Sequence, residues 1–399
     1  MCLQNGGCGN KVSNKERVPW LRRSKTHEED SEIKADDRCI KTILLYGMKE
    51  NWQQFCTSTV KSRFKSLVQF PKTFTCPEAQ CRVLLKYSDA AIDIKGADIV
   101  LFSNTLIWLT DETWKWAHGN RSEGQLWMFI SRESPIHSPG LRPPEEFVDS
   151  TYHWIASYKF DSEIYLPFGF YEPFTNLNQE KFDLTAFSVN KSKLAVWASD
   201  SCKSLQWDRV GFVNSLNDII RIDKLGACGH RKKAIPWTND LVLGQLFQPY
   251  KFSLSLENSC CDDFITENFW TALKFGSVPI VVGASYLQYS RIAPPNSFIH
   301  VDQFETMEEL AVYLTFLDEN DEKYLEFHKW RNLGSITSYN VDEKYVEPLT
   351  LETHCEILQK YMTSIKPTET LDYLGQRWAR SCSFCGYKWI QSFGRRPNP

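Results

Sequence analysis

"KFSLSLENSCCDDFITENFWTALKFGSVPIVVG", residues 251–283, reads as one strand–helix–strand unit. The first eight residues alternate apolar and polar side chains as a strand does, and VPIVVG is the short apolar run of a buried parallel strand. Between them Asp263 is placed to cap a helix from Phe264 to Phe275, and Gly276 to end it in the left-handed region. On a 3.6-residue repeat, Ile265, Phe269, Ala272 and Leu273 form an apolar stripe that must face a sheet. Phe264, Glu267, Asn268 and Thr271 share a second face. That face starts at the helix N-terminus, where free N–H groups and the dipole favour an anion such as a diphosphate. Glu267 suits the two hydroxyls of a ribose, and Phe264 suits packing on a sugar or base. The third expected element is a cation for the phosphates, yet residue 268 is the neutral Asn268. The plainer alternative is that Glu267 answers the helix dipole and Phe264 belongs to the core.

Outward from this unit the same alternation recurs. Apolar runs beginning at Thr42 (TILLYG), Ala97 (ADIVLFS), Gln125 (QLWMFIS), His153 (HWIASYK) and Ile164 (IYLPFG) are separated by longer connections. They predict a parallel sheet covered by helices on both faces. After a polar interval over 171–193, strands are expected at KLAVWAS (193–199) and IRIDKLG (220–226), with a helix at WDRVGFVNSLNDI (207–219) between them. SFIHVDQF (297–304) continues the series, and 305–332 is strongly helical. The fold expected is therefore α/β, with two Rossmann-like domains facing each other across a cleft at 41–185 and 190–345. A polar leader over 1–40 and a tail over 346–399 flank them. Ligands of such sheets sit beyond the carboxyl ends of the strands.

With 399 residues, 42% of them hydrophobic, the chain can bury two ordinary cores. A formal charge of −3 provides no global basic field, which argues against nucleic-acid binding by phosphate neutralisation. Thirteen cysteines point to an oxidising compartment. Spacing suggests bridges between Cys76 and Cys81 and between Cys382 and Cys385, with Cys202–Cys228 a further pairing. Half a zinc site is the rival reading of Cys382–Cys385, but no second close pair follows it. The sequons at Asn120 and Asn190 agree with secretory exposure. No apolar run approaches the roughly eighteen residues that a membrane span takes. The expectation that reconciles these features is a chain whose anchor or signal has been lost by truncation, splicing or misprediction at the N-terminus.

The run YKFSLSLENSCCDDFITENFWTALKFGSVPIVVGA (250–284), with NSFIHVDQF (296–304), resembles the signature of the α1,3-fucosyltransferases. Their usual pattern is FENS, a variable stretch, DYITEK, a helix and a VPVVxG strand. SRESPIHSP (131–139), HWIASYKFDSEIYLPFG (153–169), WDRVGFV and RIDKLGACG extend the similarity over about residues 43–335. The resemblance implies a GT-B fold, with an N-terminal acceptor domain and a C-terminal GDP-fucose domain. It implies inverting transfer of fucose to a GlcNAc of a glycan, without a bound metal, by a type II membrane protein of the Golgi. The CDDFITE wording resembles the branch proposed to act on protein-linked acceptors.

An inverting transfer needs a carboxylate to take the acceptor's proton while the diphosphate leaves from the opposite face. Glu133, in a loop after the strand LWMFIS, is the candidate; its plainer reading is an exposed loop glutamate. The resemblance implies phosphate contact by Arg209, and donor contacts by Asn258, Glu267 and Lys159. Phe264 replaces the family tyrosine, Asn268 the family lysine, and Phe160 a second basic residue beside Lys159. Lys251 and Lys274 are further sources of positive charge, and Asp262–Asp263 reads as a helix cap rather than a metal-binding pair. Competing readings are a catalytically weakened protein that binds a nucleotide sugar or glycan, a protein O-fucosyltransferase of the same family, and a disulfide-rich adhesion module.

Overall fold

The computed structural model describes residues 39–47, 52, 70–103, 110–138, 142–175, 182–188, 191–202, 206–229, 234–237, 239–338, 351–364, 370–372, 377–386 and 388–393. Of the leader proposed over 1–40, only Cys39 and Ile40 lie among them, at the start of β1, and Asn190 of the second sequon lies outside them. In the first lobe the strands are β1 (Ile40–Tyr46), β2 (Lys72–Cys76), β3 (Cys81–Ser88), β4 (Ile99–Ser103), β5 (Leu126–Ser131), β6 (Trp154–Ser157) and β7 (Ile164–Tyr165), with α1 at Asp111–Gly119. They form one seven-stranded sheet in the order β2-β3-β1-β4-β5-β6-β7. All neighbours are parallel except the β2–β3 edge hairpin. A short strand β8 (Gly169–Pro173) and the helix α2 (Leu184–Ser188) lead to the second lobe.

There the chain alternates through β9 (Lys193–Ala198), α3 (Arg209–Asn217), β10 (Ile222–Leu225), α4 (Asp240–Phe247), β11 (Tyr250–Leu256), α5 (Glu267–Lys274), β12 (Val278–Val282), α6 (Tyr286–Ile292) and β13 (Ile299–His300). Its five strands are wholly parallel, in the order β10-β9-β11-β12-β13. The helical region predicted over 305–332 divides into α7 (Met307–Glu319), α8 (Asp321–Leu325) and a 3-10 turn over Glu326–Asn332. The division falls at Asn320, whose backbone (φ −126°, ψ 82°) leaves the helical region. Next, β14 (Gly334–Ser338) pairs antiparallel with β8, and α9 (Leu351–Thr363) follows.

The strands read as continuous apolar runs because both faces of the first sheet are covered. Ile43, Leu45, Ile99, Leu101, Met128 and Ile130 point into one core. The alternate residues Leu44, Tyr46, Val100, Phe102, Trp127 and Phe129 point into another. That second core also takes Phe264, Ile265, Phe269, Trp270 and Leu273, so the apolar stripe predicted for 264–275 closes one lobe on the other.

The cysteine pairing differs from the expectation. Cys76 and Cys81 are cross-strand neighbours in the β2–β3 hairpin, yet Cys81 is bonded to Cys39 and Cys76 to Cys355. Cys382 and Cys385 are bonded to Cys261 and Cys260, not to each other. Cys202 is bonded to Cys228. Short spacing identified cysteines that lie close together, but tertiary neighbours supply the partners. The tail is thereby part of both lobes: α9 is bonded to the first through Cys355, and Trp378 packs on Phe129 (5.1 Å) and Tyr158 (5.9 Å). Cys382 and Cys385 then fasten the chain to the turn after β11.

Candidate active site

The carboxyl ends of β5 and β11 meet. Glu133 lies two residues past β5, Asn258 two residues past β11, and the Asn258 amide donates to Glu133 Oε1 at 3.4 Å. This is where open α/β sheets place their ligands. The Glu133 loop is shaped by its own hydrogen bonds. Ser131 Oγ donates to the Glu133 carbonyl (2.8 Å), Ser134 N–H donates to Glu133 Oε1 (2.9 Å), and the Ser134 hydroxyl meets His137 Nδ1 at 3.1 Å. Burial raises the Glu133 carboxyl above its ordinary value. The Ser134 N–H, the Asn258 amide and the Arg209 charge oppose that rise. A carboxylate so placed remains ionisable and basic, which is what a general base requires.

Arg209 is the first residue of α3, whose N-cap Asp208 accepts from Gly211 N–H. Its guanidinium is buried and donates to the carbonyls of Leu256 (3.1 Å) and Ser201 (2.7 Å). Its Nε–H finds no hydrogen-bond partner among the described residues. His137, within reach of that charge, is held below its ordinary value by burial first and by Arg209 second.

Around Glu267 the sequence reading is corrected. The helix begins at Glu267 rather than Phe264, and its N-cap is Thr266. Asp263 instead sits at φ +60°, accepts from Phe160 N–H (3.1 Å) and faces Arg291 (3.7 Å). Asp262 pairs with Gln288 (3.0 Å) and Lys159 (3.9 Å), so neither aspartate is a helix cap. The turn at Asp263 directs Phe264 inward, where it packs on Tyr158 (4.8 Å) and Phe168 (6.2 Å). Phe264 is 2% exposed and offers no open face to a ligand. Its burial contributes about 2–3 kcal/mol to closing the lobes.

Asn268 turns its amide back onto Thr266 Oγ1 at 3.1 Å. Lys159 is buried between Asp161 (3.7 Å) and Asp262 (3.9 Å). Lys251 is tied to Asp318 and Asp321, and Lys274 to Asp240, so neither serves the N-terminus of α5.

Two residues that the sequence reading passed over stand here. Glu257 is fully buried and accepts from Thr266 N–H at 2.8 Å, below the first turn of α5. Burial pushes its carboxyl up to about 8, against the pull of the Thr266 groups. A signal was present in VPIVVG, because a Cβ at Gly283 would lie 2.6 Å from Glu257 Cγ. Arg132 lies beside Glu133, its guanidinium 4.1 Å from the centre of the Phe168 ring. Glu267 is half-buried; burial raises its carboxyl, the Arg132 charge lowers it and the Glu133 charge raises it. Arginine and carboxylates of both lobes thus share one field. Among the described residues no group of three His, Cys, Asp or Glu could hold a metal, and no helix is long and apolar enough to cross a membrane.

Residues 40–169 match the family model "Fucosyltransferase, N-terminal", and residues 188–375 match "Glycosyltransferase family 10 (fucosyltransferase) C-term". The chain belongs to glycosyltransferase family 10, the fucosyltransferases. It is 34% identical over 249 residues to Alpha-(1,3)-fucosyltransferase 4 of Bos taurus, covering 61% of this chain and 58% of that one. To Glycoprotein 3-alpha-L-fucosyltransferase A of Drosophila melanogaster it is 32% identical over 310 residues, covering 76% and 55%. The matched region therefore spans little more than half the length of these curated relatives. A crystal structure of an α1,3-fucosyltransferase with GDP superposes with a TM-score of 0.51 at 14% identity, covering 87% of this chain and 96% of that one. The shared fold is GT-B, as expected for two parallel-sheet lobes meeting at their strand ends.

Proposed function

We propose that this fucosyltransferase-family chain moves L-fucose from GDP-fucose, in α1,3 linkage and with inversion, onto a GlcNAc of a glycan. The carrying observation is the meeting of Glu133 with Asn258, 3.4 Å apart at the carboxyl ends of two facing sheets, with buried Arg209 behind them. The names of the bovine and fly relatives support the choice of sugar and linkage. In this reading Glu133 takes the proton of the acceptor hydroxyl as its oxygen bonds to the anomeric carbon. The bond from that carbon to the β-phosphate oxygen breaks, and GDP leaves carrying the electron pair. Arg209 and the N–H groups at the start of α5 face the charge that develops. Asn258 holds Glu133 in place, and Glu267 is assigned to the donor ribose. Lys159 acts through Asp262, ordering the donor turn rather than touching phosphate. Five disulfides among the described residues suit an oxidising lumen, so the proposed setting is the Golgi, with the enzyme held at its membrane.

The test is incubation of the full chain with GDP-fucose and a panel of GlcNAc-bearing glycans and glycoproteins, with products read by mass spectrometry and anomeric configuration by NMR. We expect an α-linked fucosyl product. Absence of both transfer and donor hydrolysis across the panel would refute the proposal.

A further inference from the structure

The cleft holds three carboxylates that act on one another: the Glu133 charge bears on Glu267, and the Glu267 charge on Glu257. A nucleoside diphosphate entering there adds further negative charge. Desolvated like charges exclude one another unless cations stand among them. Arg209 acts on Glu133 and Glu257, which lie beside β5 and β11. At the N-terminus of α5 the side chain of residue 268 supplies no charge, since Asn268 is neutral, and its amide donates to the Thr266 hydroxyl.

Arg132 reaches this side of the cleft from the opposite lobe. It precedes Glu133 in the loop after β5, and Phe168 carries its guanidinium at 4.1 Å. The same ring meets Phe264 edge-on at 6.2 Å, three residues before Glu267. A guanidinium held over an aromatic face is positioned by the ring without using its N–H groups, which suit carboxylate or phosphate oxygens. The loop that presents Glu133 therefore also presents a cation to the first turn of α5.

We propose that Arg132 is the phosphate-facing cation of this chain, delivered across the cleft by the acceptor-side lobe to the place that Asn268 leaves uncharged. Its charge opposes the rise that burial imposes on the Glu267 carboxyl, and it adds to the field on the diphosphate when nucleotide binds. One consequence is that nucleotide affinity depends on lobe closure, because Arg132 and Arg209 belong to different lobes. The inference rests on the nucleotide-sugar reading above.

The test compares wild type, Arg132→Met, Arg132→Lys and the double variant Arg132→Met with Asn268→Lys. GDP affinity is read by calorimetry, and kcat and KM for GDP-fucose by transfer assay. Methionine preserves packing on Phe168, and equal melting temperatures show that the fold is kept. We expect Arg132→Met to weaken GDP binding by about ten- to a hundredfold, the range for one charge-assisted contact. Arg132→Lys should retain most of the affinity, and Asn268→Lys should restore much of what Arg132→Met loses. A purely structural Arg132 would show no such rescue. Folded Arg132→Met that binds GDP as wild type does, or whose loss Asn268→Lys leaves unchanged, overturns the inference alone. Wild type that binds no GDP overturns the nucleotide-sugar reading and this inference with it.

Discussion

Two sets of buried charge lie at opposite ends of the second sheet and are built in opposite ways. At the carboxyl ends, Glu133, Glu257 and Glu267 alternate with Arg132 and Arg209, and Asn258 and backbone N–H groups fill the gaps. At the amino ends, Lys191, His328 and Arg331 gather around Phe187. Lys191 Nζ donates to the Gln248 carbonyl at 2.8 Å, just before β11 begins. Neither ring nitrogen of the fully buried His328 has a hydrogen-bond partner among the described residues. Burial, then the neighbouring positive charges, lower both groups: Lys191 to about 7 and His328 well below its ordinary value. In the mixed cluster the cations oppose the rise that burial imposes on the carboxylates. Burial favours the neutral forms of Lys191 and His328, so the basic cluster suits an anchor for α2 on the second lobe and not a ligand site.

The largest effect should come from breaking the mixed cluster at its centre. Glu133→Gln keeps the volume and can still accept from Ser134 N–H, but it cannot take a proton. We expect kcat to fall by about 10²- to 10⁴-fold, the range for a positioned general base, with GDP affinity held or improved. Equal losses in kcat and GDP binding would instead assign Glu133 to nucleotide recognition.

Arg209→Met should act less on rate and more on pH. Removing this cation leaves burial to raise Glu133 with less opposition, so the carboxyl ionises only at higher pH. The acid limb of kcat/KM should therefore shift upward in pH, with a loss of about tenfold or more at neutral pH from the missing phosphate contact. A profile that falls uniformly without shifting would show that Arg209 does not act on the base.

Much of this arrangement was legible in sequence because buried parallel strands leave apolar runs, as β4, β5 and β12 do, while β11 showed the two-residue alternation of a strand. Glu133 could be named because it follows a strand end in a loop that resembles the family's, and Asn258 because the resemblance implies it. The start of α5 was misread because Asp263 and Thr266 can both cap, and the apolar stripe that begins at Ile265 favours the earlier of the two. Only the backbone decides, since Asp263 is left-handed and Thr266 extended. Glu257 escaped notice because a lone glutamate at a strand end carries no period; the room for its side chain depends on Gly283, far along the sequence at the end of β12. Arg132 escaped for another reason: Phe168, which it packs on, comes from another loop of the same lobe, and Glu267, on which its charge acts, comes from the opposite lobe. Local spacing failed the cysteines in the same way.

The smallest effect should come from the basic cluster, and it should appear in stability with little change in chemistry. Lys191 is held near 7 in the folded chain against an ordinary value of 10.5. Between those values the unfolded chain binds a proton that the folded chain does not, so stability rises with pH through that window. Below about pH 7 both states are protonated and the penalty is fully present. Lys191→Met removes the titration and loses the hydrogen bond to the Gln248 carbonyl, a loss of about 1 kcal/mol. The net gain should be on the order of 2 kcal/mol at pH 6 to 7, shrinking and then reversing as pH approaches that of the free amine. Thermal unfolding at a series of pH values tests this: the Lys191→Met melting temperature should exceed that of wild type by a few degrees near pH 6.5 and fall to or below it near pH 10. Parallel curves at every pH would show that Lys191 stays charged, and that the amino end of the sheet, like the carboxyl end, holds a counterion for it.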